Sequence, residues 1–311
     1  MDDLASTLAT SSLHEAAVIH LKPSQRAKII STAETFVKNA FVNHDPSHDW
    51  HHVNRVRLLS LALTRSPELA SLPIDLLAVE LGALFHDLTD AKYNPSSTTP
   101  SSVLSTFWSS ITPPTLVTDT QKALVEKIVA NVSWSKDVRR RATNPDHLSV
   151  SDVELAKWLD SCSEFWCVSD ADRLDSIGSI GIFRCAAFST NVNRPLYVPP
   201  NNPAMDPVPP AEQGEGYNGS AVAHFYEKLL KIKGERLYTE QARQEAERRQ
   251  GVMQNFLQEL DLEWLVASEG AQLALMDAEA VNADEDEEER EDCTPTEQPG
   301  DIRLEYTRSL Q

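Results

Sequence analysis

Cysteine, glycine, basic charge and long apolar runs are all scarce in this 311-residue chain, and each scarcity removes a class of protein. The four cysteines, Cys162, Cys167, Cys185 and Cys293, form no Cys-x-x-Cys pair, so neither a disulfide framework nor a thiolate zinc site is expected. The first three read as small buried hydrophobes, and Cys293 falls in the tail. The ten glycines supply no phosphate-cradling loop: Gly178-Ser179-Ile180-Gly181 sits in a helical apolar pattern with no strand before it, which assigns it to close packing. No apolar run approaches the ~20 residues of a membrane span. Met1-Asp2-Asp3-Leu4 is acidic and no apolar h-region follows, so the cytoplasm is expected, with the nucleus left open. Strand-like alternation is nearly absent. Against 28 Lys+Arg stand 47 Asp+Glu, a net charge of −19. Beyond residue 276 lie 13 acidic and three basic side chains, which leaves −9 for the body. Such a surface repels a phosphate backbone, so DNA and RNA polymers are excluded as main ligands, while small phosphates with metal ions stay compatible. With 41% hydrophobic and 24% charged residues, the chain is neither wholly disordered nor fibrous.

What is present is helical periodicity. Pro23-Ser24 opens a helix to Val42 with Ala27, Ile30, Ala33, Phe36, Val37 and Ala40 on one stripe. From Pro73 to Leu88, Ile74, Leu77, Leu81, Leu84 and Leu88 recur within a broadly apolar surround, the mark of a core helix. Further helices are expected over Asp119–Val132, as one element over Phe165–Phe188, from Ser220, and over Thr239–Leu265. Residues 133–160 read as an exposed insertion, the part to 152, with Arg139-Arg140-Arg141, being non-helical and solvated. Residues 191–219 carry seven prolines and cannot be regular helix. The run Asp284–Glu289 repels itself, and 276–311 is expected to be a disordered acidic tail after an ordered body over 24–275, with 1–23 as an N-terminal segment.

The chemistry gathers at three places. Ala83-Leu84-Phe85-His86-Asp87-Leu88-Thr89-Asp90 sets polar, metal-capable residues at the end of an apolar helix, where a desolvated carboxylate needs a hydrogen bond, a cation or a metal. A helix cap with a satisfied histidine is the plain alternative. Upstream, His44, His48 and His52 are four apart, with Pro46 placing the helix start just before His48. Downstream, Asp172 and Asp175 lie one turn apart among apolar neighbours in Ser169-Asp170-Ala171-Asp172-Arg173-Leu174-Asp175. A histidine, a His-Asp pair and a later Asp on separate helices can close around one ion, and N/O donors suit Mn, Fe, Co, Ni or Zn.

The order and spacing of Ser47-His48-Asp49-Trp50-His51-His52-Val53-Asn54-Arg55-Val56, the His86-Asp87 segment and Asp170–Asp175 resemble the HD superfamily of metal-dependent phosphohydrolases, in a branch similar to small bacterial nucleotide pyrophosphohydrolases. His224-Phe225-Tyr226-Glu227-Lys228-Leu229-Leu230 is similar to that branch too. The resemblance spans about residues 24 to 262; the two insertions and the tail exceed its compact members. It implies an all-α helical bundle with a metal site between helices. It places the ligands on His52, His86, Asp87 and Asp172, with Asp175 as the rival for the last role. One divalent ion is implied, manganese first among Mg, Co, Ni, Fe and Zn. Asp90, one turn beyond the pair, is then the proton-handling residue, and Lys92 a catalytic and phosphate-contacting point charge. His48, Arg55, His224 and Lys228 become substrate-binding candidates, with surface or capping roles as alternatives. The implied substrate is a small phosphorylated metabolite, first a nucleoside triphosphate releasing pyrophosphate. A nucleoside monophosphate phosphatase or phosphodiesterase is the second reading and a non-catalytic nucleotide-binding regulator the one from another class. An HD-type di-iron oxygenase would need further ligands from residues such as His44 and His48. A homodimer is compatible with all of these.

Overall fold

The computed structural model describes residues 21–90, 98–198 and 219–288, with side chains to 279. Its described residues form eleven α-helices and no strand: α1 Pro23–Ala40, α2 Trp50–Leu63, α3 Leu76–Phe85, α4 Pro100–Ser110, α5 Asp119–Asn131, α6 Trp134–Ala142, α7 Val150–Leu159, α8 Ser163–Asp175, α9 Gly178–Asn191, α10 Ala221–Glu227 and α11 Glu240–Glu288. The all-α expectation holds.

The fold is built around α3, because its sequence gives it no face to offer to water. From Leu77 to Phe85 every residue is buried. Each large apolar side chain so placed contributes on the order of 1.5–3 kcal/mol. The helix starts three residues later than its apolar pattern, because the Asp75 carboxylate accepts from the backbone N–H of Leu77 and Ala78 at 2.9 and 3.0 Å. It packs on α1, α2, α5 and α8. Gly82 permits the approach of α5, since a Cβ there would sit 3.2 Å from Cγ2 of Ile128. The buried Glu80 on α3 is held by Arg57 of α2, whose Nε lies 2.7 Å away, and by Arg26 of α1. This acid therefore stitches the first three helices together while satisfying its own charge.

Four sequence expectations need correction. Residues 165–188 are two helices: α8 stops at Asp175, and Gly178, at φ +75°, turns the chain into α9. The apolar periodicity runs through this break because both helices face the core. Residues 133–152 are largely helical, in α6 and the start of α7. Their polarity misled the reading: Asp137 is buried beside arginines of its own helix, and Ser149 with Asp152 forms a capping box that starts α7. Helix α4, capped by Thr99 with Pro100 in its first turn, had not been anticipated. Finally α11 continues to Glu288, through residues expected to be disordered; Ala and Glu are strong helix formers, and their propensity offsets the charge repulsion. The chain divides into two units after Leu257. Residues 289–311, the greater part of the expected acidic tail, and the N-terminal segment to residue 20 lie outside the described residues. So do 199–218 of the Pro-rich loop. No helix among the described residues is long and apolar enough to cross a membrane.

Candidate metal centre

Three helices deliver the site. Asp49 caps α2 by accepting from the His52 backbone N–H at 2.9 Å, which sets His52 in the first turn with its side chain fully buried. His86 and Asp87 follow the last residue of α3, where the helix ends and its side chains are freed from the i+4 ladder. Asp172 and Asp175 come from the last turn of α8, which packs against both α2 and α3.

The hydrogen bonds fix both imidazoles in one sense. His52 Nδ1 lies 2.7 Å from Oδ2 of Asp175, and His86 Nδ1 lies 2.8 Å from the Ala83 carbonyl oxygen. Both partners only accept, so each Nδ1 carries its proton and Nε2 is the atom each ring offers to the cluster. Those two Nε2 atoms face each other at 3.1 Å. Asp87 Oδ2 stands 3.2 Å from one and 3.4 Å from the other, and Asp172 Oδ1 3.8 and 3.7 Å from them. Asp87 Oδ2 is buried and has no hydrogen-bond partner. Two lone pairs and two carboxylates aimed at one point repel one another unless a cation lies among them. His52, His86 and Asp172 offer one ligand atom each, all within 4.8 Å of one another. The donor set fits a divalent ion of the borderline class, with two nitrogens and carboxylate oxygens and no sulfur.

The electrostatics agree with that fit. Burial works against a charged His86, but the Asp87 and Asp172 carboxylates and the Ala83 carbonyl outweigh it and push the imidazole up to about 9. Asp87 is held well below the usual carboxylate range by His86 and His52, against its burial. Where no metal is bound, a proton thus takes the cation's place, and metal uptake must displace it.

Asp175 sits elsewhere. Its carboxylate is behind His52, accepting from Nδ1 and also from Arg55 Nε at 2.7 Å and Nη2 at 3.0 Å, with Arg184 Nη1 at 3.4 Å. Burial would raise it, but His52, Arg55 and Arg184 bring it down to about 2. Arg55, expected to face substrate, is therefore engaged with Asp175. His48 is buried, bonded to Ser47 Oγ at 2.6 Å, and its ring meets that of His52 edge-on at 5.9 Å. His224, 3.4 Å from Glu227, lies in α10, which packs on α9, and Lys228 is the residue that ends that helix. Asp90 follows Asp87 by one turn, its N–H donating to the Asp87 carbonyl at 3.1 Å. Lys92 lies outside the described residues.

Two groups near the site had escaped the sequence reading. Lys136 of α6 donates to the Ala130 carbonyl oxygen at 2.6 Å and is within electrostatic range of Asp90; desolvation lowers its pKa, as do Arg139 and Arg140, with Asp90 opposing. It was hidden in a segment read as solvated. Asp170, fully buried, accepts from the N–H groups of Tyr238 and Thr239 and from the Thr239 hydroxyl at 2.7–3.1 Å, fixing the start of α11 against α8. Its burial among apolar neighbours in Asp170-Ala171 was the available signal.

A helical bundle that closes a His, His-Asp, Asp set around one point is the architecture of an HD domain. Comparison with known proteins agrees. No family model matches the chain. The uncharacterized protein YpgQ of Bacillus subtilis is 29% identical over 232 residues, covering 73% of this chain and 89% of YpgQ. The crystal structure of YpgQ in complex with ADP superposes with a TM-score of 0.51 at 26% identity, over 77% of this chain and 96% of that one. An HD-superfamily hydrolase from Bacillus thuringiensis gives 0.51 at 27% identity, over 77% and 98%. A Lactobacillus plantarum protein shares the fold with a TM-score of 0.56 at 24% identity, over 79% and 99%. The chain thus resembles the HD-superfamily hydrolases in its fold and in its His, His-Asp, Asp set.

Proposed function

We propose that the protein is a divalent-metal-dependent phosphohydrolase of small phosphorylated metabolites, and that its first substrate class is the nucleoside triphosphates, cleaved to monophosphate and pyrophosphate. The observation that carries the metal dependence is the pair of Nε2 lone pairs and the unpartnered Asp87 oxygen converging on one point. The nucleotide part is supported by the ADP complex of the related YpgQ. We assign the ion to His52, His86, Asp87 and Asp172, with manganese first. When bound, it supplies Lewis acidity to a phosphoryl oxygen and makes water nucleophilic at neutral pH.

The rest is the work of the chain. Asp175 and the Ala83 carbonyl hold the two imidazoles in the tautomer that leaves Nε2 free, so no reorganisation is needed at the site. Asp175 is thereby a positioning residue, and Arg55 acts through it. Asp90 takes the proton released at the attacking water or returns one to the leaving oxygen. Lys136, within electrostatic range of Asp90, and Lys92 balance phosphate charge as point charges. His48 steadies His52, and His224 and Lys228 are kept as contacts to the distal part of a polyphosphate.

The test is product analysis of purified protein with Mn²⁺ and a panel of nucleoside tri-, di- and monophosphates, beside His86→Ala. Pyrophosphate from triphosphates, made by the wild type and absent with His86→Ala, is the expected result. Orthophosphate from monophosphates would replace the substrate assignment with a phosphatase. No turnover of any nucleotide would overturn it.

A further inference from the structure

Directly behind Asp175, on the side away from the His52–His86 cluster, lies a cavity of about 400 Å³ lined by Arg55, Arg248, Arg249, Leu58, Ile177 and the first turn of α9, among others. Nothing in the proposed reaction uses it. Its chemistry is two-sided. Three guanidinium groups line it, and Arg184 reaches the same Asp175 carboxylate at 3.4 Å. The acids bonded to them are Asp175 and Glu245, the latter shared by Arg248 and Arg249 at 2.7 Å. With Asp49 also within electrostatic range of Arg55, four cations stand over three carboxylates, a local excess of one positive charge in a chain whose net charge is −19. Much of the remaining lining is apolar: Leu58 and Ile180, 57% and 40% exposed, together with Val252 and the buried Ile177. Gly178, at φ +75°, allows this packing, since a Cβ there would meet Cγ of Arg249 at 3.0 Å. The start of α9 carries no side-chain cap, which adds backbone donors of the right polarity to the arginines. A volume of this size holds a small metabolite, and guanidinium forks match phosphate oxygens two at a time.

The wall shared with the metal centre gives the cavity a consequence. Arg55 bonds Asp175 through Nε and Nη2, and the Oδ2 that accepts from Nη2 also accepts from His52 Nδ1. An anion that engages Arg55 draws it from Asp175 and changes the hydrogen bond that orients His52.

We propose that this cavity binds a small phosphate-bearing molecule with an apolar portion, its phosphate on Arg55, Arg248 and Arg249 and its apolar part against Leu58 and Ile180, and that its occupancy is relayed to His52 through Arg55 and Asp175. The relay rests on the metal-site reading given above; the binding itself does not.

Calorimetric titration of the full-length, EDTA-treated protein with orthophosphate, pyrophosphate and AMP tests both parts. AMP is expected to bind once per chain, more tightly than orthophosphate, and to bind Asp87→Ala equally well, because that variant disables the metal centre and spares the cavity. Arg248→Glu and, separately, Ile180→Glu are each expected to weaken it at least tenfold. In NMR spectra of histidine-labelled protein, AMP is expected to shift the His52 Nδ1–H resonance. Binding lost in Asp87→Ala, binding unchanged in both cavity variants, or no binding by any probe at millimolar concentration would overturn the site while leaving the catalytic reading standing. Binding that leaves the His52 resonance in place would overturn the relay.

Discussion

Asp175 is the residue on which the site's precision rests, although its carboxylate points away from the cluster. Its buried side chain holds His52 Nδ1 and is itself held by Arg55 and Arg184. Asp175→Asn keeps an acceptor oxygen but loses the charge, so metal affinity is expected to fall by about 10–100-fold, measured by equilibrium dialysis with Mn²⁺. Asp172→Ala, which removes a proposed ligand, is expected to cost more. The same residue shapes acid stability. Its pKa is about 2 in the folded chain and about 3.9 when unfolded, so its stabilisation is complete above the unfolded value and is lost as pH falls through the folded one. The contribution is on the order of 2 kcal/mol. Urea titrations of the metal-free protein between about pH 5 and pH 2 should show a steeper loss for the wild type than for Asp175→Asn. Equal slopes would mean that Asp175 is not held as the geometry indicates.

At the scale of elements, the junction between α8 and α9 adjoins both the proposed ligand Asp172 and the cavity lined by Asp175. Gly178 turns the chain at a positive φ, and the methylenes of Arg249 pack where its Cβ would lie. Gly178→Ala is expected to destabilise the protein by about 1–2 kcal/mol in denaturant melts from backbone strain alone, and to weaken metal retention by displacing the end of α8. This junction also marks the limit of the sequence reading. The core helix α3 and the stripes of α1, α5 and the start of α11 were legible because burial on one face leaves a period in the sequence. The α8–α9 break left none, since both helices are apolar toward the same core. The four positions proposed as ligands were chosen through their resemblance to the HD pattern, and the packing brings His52, His86 and Asp172 together. That Asp175 would serve His52 from behind, with Arg55 bound to it, was not legible, because Asp172 and Asp175 carry the same chemistry and only the packing of α2 on α8 separates their roles. Lys136 stayed hidden for another reason: Arg139-Arg140-Arg141 made α6 look solvated, whereas Asp137 is buried with the side chains of Arg140, Arg141, Arg173 and Arg236 around it.

For the whole molecule, the buried core and the proposed site lie within the unit that ends at Leu257. In α11, Met253 and Leu257 are buried, whereas Leu262, Val266, Leu273 and Leu275 beyond them are exposed. Removal of residues 279–311 is therefore expected to leave turnover and Tm nearly unchanged, checked by activity assay and calorimetry on the truncated chain; a drop in either would show that the acidic segment supports the body. One divalent ion, held where two imidazoles and two carboxylates meet, is proposed to make this chain a phosphohydrolase. The most direct measurement is metal content per chain, by mass spectrometry, together with nucleotide turnover in wild type and Asp87→Ala, each purified, stripped with EDTA and returned to Mn²⁺. One ion per chain with restored turnover in the wild type, and neither in the variant, is the predicted result. Full metal content and turnover in Asp87→Ala would contradict it.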